Sequence, residues 1–155
     1  MMNQIEIVKG YDYISDVQEL ILKYIHELNR NLDFQNIQDE FKHLKQKYAE
    51  PQGEILVALC DDKVVGCVAY YQLNENCCEM KRLFVLPEYR SLKIGEQLVE
   101  NIIKRAKEVQ YKEMVLDTIK PLKHAIALYK KYGFQETKAY YNNPMDDVIY
   151  MCLKL

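Results

Sequence analysis

Three apolar runs separated by connections of only a few residues set the tightest limit on what this chain can become. EILVALC (54–60) ends at Asp61, Asp62 and Lys63, VVGCVAYYQL (64–73) runs into a turn at Asn74 to Asn76, and CCEMKRLFVL (77–86) stops at Pro87. A parallel crossover needs roughly a dozen residues or more, so connections this short predict an antiparallel meander. Asp, Asn and Lys at the joints are ordinary turn residues.

The flanking segments differ in period. Residues 3 to 8 alternate polar and apolar, as in a strand with one buried face. From Tyr13 to Leu28, apolar residues Val17, Leu20, Ile21, Tyr24, Ile25 and Leu28 recur at helical spacing, and a second helix is expected from Asn36 to Tyr48 on Ile37, Phe41, Leu44 and Tyr48, stopped by Pro51 and Gly53. Beyond Pro87, Ile94, Leu98, Ile102 and Ala106 predict a helix of about four turns, with Val99 and Ile103 beside them. EMVLDTI then reads as a strand, and Pro121 opens a helix that closes at Gly133. FQETKAYY and DVIYMCLKL read as strands parted by Asn142, Asn143 and Pro144. The order β-α-α-β-β-β-α-β-α-β-β describes one mixed α/β domain over residues 1–155. A chain of 155 residues buries roughly 70% of its unfolded surface, enough for one core.

Composition narrows the function. The net charge of -2 argues against a nucleic-acid binder, no apolar run reaches the roughly 20 residues a bilayer requires, and MMNQIEIVKG lacks a signal-peptide layout. A cytoplasmic protein with no membrane or nucleic-acid partner is expected. Cys60, Cys67, Cys77, Cys78 and Cys152 form no CxxC pair, and His26, His43 and His124 are scattered, so no metal site is expected. The cysteines read as small hydrophobes.

The strongest chemical signal is PEYRSLKIGEQ (87–97). A strand, a turn and a helix start leave unpaired amides at the positive end of a helix dipole, where an anion can be held. Arg90 and Lys93 add charge, and Gly95 removes a side chain where a ligand or backbone comes close. The same residues also suit a plain junction with Ser91 as N-cap. GxxxxGK[ST] and GxGxxG are absent, which removes the common nucleotide-binding readings.

The run CCEMKRLFVLPEYRSLKIGEQLVENIIKRA resembles the acyl-CoA-binding segment of the GNAT superfamily of N-acyltransferases, with Val85, Pro87, Arg90, Lys93 and Gly95 at its VxPxxR and RxxGxG positions. HAIALYKKYGF resembles the second hallmark through Ala125, Leu128, Tyr129, Gly133 and Phe134. The resemblance implies a central, mostly antiparallel mixed sheet flanked by about four helices. It also implies acetyl transfer from acetyl-CoA to a primary amine, on a small molecule or on a peptide or protein, by a monomer or homodimer. A non-catalytic acyl-CoA sensor or interaction module on the same fold is the alternative.

The implied site follows from that resemblance. The backbone of Leu83, Phe84 and Val85 would hold the thioester and pantetheine arm, and amides of Arg90, Ser91, Leu92, Lys93, Ile94 and Gly95 the pyrophosphate. Tyr129 would protonate the leaving thiolate, with Tyr132 as its rival. Glu79 would be the base, facing the cleft if Glu79, Lys81, Leu83 and Val85 share one strand face. Lys93, where the family has glycine, is expected to direct its amide from an ordinary backbone conformation, and Leu122 replaces an asparagine that contacts CoA. Residues 25 to 40 and Lys138 to Asp147 would receive the acceptor, with Tyr140, Tyr141, Asn142 and Asn143 as walls. Asp146 and Asp147 either attract a cationic amine or cap a turn.

Overall fold

Alternating and near-continuous apolar strands assemble into one seven-stranded sheet. The computed structural model describes residues 4–32 and 36–155. Asn3 of the expected first strand and residues 33–35 of the expected acceptor region lie outside them. The strands are β1 (Ile5–Lys9), β2 (Glu54–Cys60), β3 (Lys63–Asn74), β4 (Cys77–Val85), β5 (Glu113–Ile119), β6 (Gln135–Thr137) and β7 (Val148–Lys154). Their spatial order is β1-β2-β3-β4-β5-β7-β6. All neighbours pair antiparallel except β4 and β5, which are parallel. The meander is β2-β3-β4, as the short connections require.

The helices are α1 (Ile14–Leu28), α2 (Ile37–Lys42), α3 (Leu44–Lys47), α4 (Ile94–Glu108) and α5 (Lys123–Lys131). The expected single helix from Asn36 to Tyr48 is broken at His43, whose φ of -129° and ψ of 40° leave the helical region, so there are five helices rather than four. Val65 to Tyr70 of β3 are buried without alternation, which requires cover on both faces of the sheet. Val17 and Ile21 of α1 meet Ile55, Cys67 and Ala69, whereas a Cβ placed on Gly66 would stand 3.2 Å from Leu98 of α4. All five cysteines are free, and four are buried in the role expected of them.

The strand expected over FQETKAYY shrinks to Gln135–Thr137. Tyr140 and Tyr141 leave the ladder because their hydroxyls are engaged elsewhere, on Glu79 and Asp117 of two central strands. Gly133, at φ 102°, makes the left-handed exit from α5 that lets Phe134 pack edge-on to Tyr129 at 5.8 Å.

Two departures from ladder regularity position the site. First, β4 and β5 pair only from Cys77 opposite Glu113 to Glu79 opposite Val115, and then part. Second, β4 carries one extra residue: Cys67 faces Phe84 while Ala69 faces Lys81. The bulge centres on Arg82, whose φ is 64°. A left-handed arginine is held there by its partner: Nε and Nη2 donate to Glu40 of α2 at 2.6 and 2.9 Å, with both side chains buried.

Candidate active site

Where β4 and β5 separate, a cleft of about 660 Å³ opens, walled by β4 from Met80 to Val85, β5 from Leu116 to Ile119, and the ends of α1, α4 and α5. Beyond Glu79 and Val115 the two strands no longer pair with each other, so each turns an unladdered edge to the gap. An extended ligand can add there as a strand would.

The bulge changes which residues share a face. Paired residues point the same way, so Glu79 and Lys81, opposite Tyr71 and Ala69, share their face with Phe84, opposite Cys67. Val85, opposite Gly66, points to the other side. The expectation that Glu79, Lys81, Leu83 and Val85 form one row is therefore wrong, because an extra residue inverts the alternation. Leu83, Phe84 and Val85 do line the cleft, and Glu79 does not. Its buried carboxylate accepts a hydrogen bond from Tyr140 and stands 3.7 Å from Lys81.

The carboxylate in the cleft wall is Asp117 of β5. Register carries it on the same face as Val115 and hence Glu79. Tyr141 and Asn143 donate to it, the latter at 2.9 Å. A lone aspartate inside the apolar run EMVLDTI was a visible signal that the sequence reading passed over. Lys123 and His124, which open α5 at the cleft, were passed over as well.

Tyr129 lies in the cleft wall, 8% exposed, and among the described residues nothing hydrogen-bonds its hydroxyl. Burial, followed by the negative charges near it, raises its pKa, so the phenol keeps its proton at any ordinary pH. Its rival Tyr132 is outside the cleft, beside Lys131.

The turn from Pro87 to Leu92 is 3-10 helical and leads through Lys93 into α4. Of Arg90 to Gly95, Arg90 and Gly95 line the cleft. Arg90 is a tie as well as a charge: Nε donates to Val85 O at 2.9 Å, Nη2 to Glu27 of α1 at 2.9 Å, and the guanidinium covers Phe84. Ser91 does not cap α4. The N-cap is Lys93, without a side-chain cap bond, leaving the first-turn amides open.

Lys93 itself departs from expectation, with φ 58° and ψ 29° in the left-handed region rather than an ordinary conformation. It adopts the geometry a glycine takes without steric cost. Lys93→Gly is therefore expected to raise stability by about 1 kcal/mol in urea unfolding. Gly95 is different: a Cβ there would meet only Leu128, at an ordinary 3.6 Å. Protein packing does not demand this glycine.

In the segment before β7, Asp147 lies in a turn, as one of the two expected readings had it, and its carboxylate is not open to an amine. It is held by Arg30 through two bonds of 2.6 and 2.8 Å, and Arg30 also reaches Met145. Asn143 and Met145 enter the cleft wall, while Tyr140, Tyr141 and Tyr150 stack edge to face behind them. The segment after β6 is thus fastened to Arg30 just beyond α1 and to β4 and β5.

A family model described as the acetyltransferase (GNAT) family matches residues 22–134. The chain is 42% identical over 153 residues to an uncharacterized N-acetyltransferase of Schizosaccharomyces pombe, covering 97% of this chain and 94% of that protein. It is similar to a crystal structure of a GNAT-family acetyltransferase from Staphylococcus aureus Mu50, with TM-score 0.82, 26% identity, and 97% and 99% of the two chains covered. A GNAT-family acetyltransferase from Elizabethkingia anophelis, solved with acetyl-CoA bound, aligns with TM-score 0.60 at 26% identity over 74% of this chain and 83% of that one.

Proposed function

Because the chain belongs to the GNAT acetyltransferase family, we propose that it moves an acetyl group from acetyl-CoA to a primary amine by direct attack on the thioester. The observation that carries this reading is the parting of β4 and β5 beside the uncapped start of α4, with the Tyr129 phenol in the wall.

In this reading the pantetheine arm lies along the free edge of β4 at Leu83 to Val85, and the pyrophosphate takes the amides between Arg90 and Gly95. The amide of Leu83, just past the bulge, polarises the thioester carbonyl as charge develops on oxygen. Tyr129 donates its proton to the departing sulfur, which is itself a stronger base in a dry cleft. Asp117 draws the acceptor's ammonium to the gap. Glu79, outside the cleft wall, takes the amine's proton through an intervening water. The acceptor is a small-molecule or peptide amine. The alternative of a non-catalytic sensor drew on Lys93 and Leu122; the left-handed conformation of Lys93, the one a glycine would take there, supports the enzymatic reading.

Calorimetric titration with acetyl-CoA tests the reading. Binding heat and thermal stabilisation are expected, and their absence at millimolar ligand sinks it. Gly95→Ala sharpens the test, since adding a methyl to α4 should leave stability equal or raise it by up to about 1 kcal/mol. Acetyl-CoA affinity should nonetheless fall about tenfold, because the only close approach the glycine serves is to the ligand.

A further inference from the structure

Lys81 is a buried amine in the cleft that the acetyl-transfer scheme leaves without a task. Its side chain is only 9% exposed and lines the wall. Among the described residues it makes no hydrogen bond, and Oε1 of Glu79 is 3.7 Å away, while Tyr140 donates to the other oxygen, Oε2, of that carboxylate. Register puts Lys81 on the face of Phe84 and, across the gap, of Asp117, one residue before the bulge and two before Leu83. A lysine side chain is long enough to reach from there to a carbonyl held at the Leu83 amide.

We propose that Lys81 is an internal acceptor: with acetyl-CoA bound and no amine present, the enzyme acetylates its own Lys81. This rests on the acetyl-CoA-dependent reading above. The lone pair of Nζ attacks the thioester carbonyl carbon, forming the carbon–nitrogen bond. The carbon–sulfur bond breaks, and its electron pair leaves with the sulfur. One proton passes from the nitrogen to the Glu79 carboxylate, and one from Tyr129 to the thiolate, the phenol being recharged from Glu79 through solvent. The products are Nε-acetyl-Lys81 and the free CoA thiol, so atoms, charge and electrons balance with no further reactant.

The surroundings favour the nucleophilic form of the amine. Burial first, and then the positive charge of Arg82, lower the Lys81 pKa against the opposing pull of Glu79. Exposed lysines such as Lys104 have no thioester held beside them. Acetylation removes the cation facing Glu79 and fills the cleft with the transferred group. The modified protein is a self-limited enzyme, and a bound amine that outcompetes Lys81 protects it.

The experiment incubates the folded, full-length chain with acetyl-CoA alone and follows intact mass and peptide maps, with urea-unfolded chain as the reference. The expected result is a single acetyl addition at Lys81, saturable in acetyl-CoA, suppressed by free CoA, and at least about a hundredfold faster than at surface lysines or in the unfolded chain. Lys81→Arg and Lys81→Met, each checked for fold by circular dichroism, should lose that addition. Label that accumulates on surface lysines while Lys81 stays unmodified, or equal rates in folded and unfolded chain, overturns the proposal. Acetyl-CoA titration and a screen of primary amines run in parallel. Binding and amine turnover with a silent Lys81 overturn self-acetylation alone, whereas no acetyl-CoA binding overturns the parent reading with it.

Discussion

Tyr129→Phe is expected to lower turnover by at least about a hundredfold while leaving acetyl-CoA affinity and stability close to those of the native chain. The size follows from the task, since removing a positioned general acid forces the thiolate to leave unprotonated or to wait for water. The selectivity follows from the packing. The ring is held by α5 against Phe134, and phenylalanine preserves that contact. The hydroxyl has no protein partner among the described residues, so its removal leaves no donor or acceptor orphaned. Steady-state kinetics, acetyl-CoA calorimetry and a melt on one preparation separate the outcomes. An unchanged rate removes Tyr129 from the proton-donor role, and a large loss of stability assigns it to the core.

Glu40→Ala is expected to cost about 3–5 kcal/mol in urea unfolding, a large part of the 5–15 kcal/mol typical of a whole domain. The substitution takes the carboxylate from a guanidinium whose side chain is 6% exposed, and whose left-handed backbone depends on that pairing. Because Arg82 forms the bulge that places the Leu83 amide, acetyl-CoA affinity should fall together with stability. The pair also fixes a pH dependence. Burial alone would raise the Glu40 pKa, but hydrogen bonds and charge from Arg82 and then Lys47 outweigh it and hold it at about 2, below the ordinary 4.5. A carboxylate with a depressed folded pKa stabilises fully above its unfolded pKa and loses that contribution as pH falls through the folded one. Stability from this pair should therefore decline from near pH 4.5 toward pH 2, and Glu40→Ala should flatten that part of the profile. Equal slopes for both chains contradict the assignment.

The sheet and the central helix were legible because each writes its geometry as a period or a motif. The meander declared itself in connection lengths, and α4 in the apolar spacing from Ile94 to Ala106. What stayed hidden lies where tertiary partners override local preference. Nothing in MKRLFV marks Arg82 as left-handed, since a glycine would announce such a bend and an arginine held by Glu40 from another helix does not. That one residue moved Glu79 out of the row with Leu83 and Val85. Lys93 concealed its turn in the same way. Asp147 does sit in a turn, but its tie to Arg30 was hidden because that partner is far away in sequence.

The three-rung pairing of β4 with β5 has a mechanical side. Strands β1 to β4 and strands β5 to β7 are each continuous ladders, and the backbone pairing between them runs only from Cys77 to Glu79. In the proposed binding mode, an extended arm lying in the gap would act as a rivet between the two halves, and product release would amount to drawing that rivet.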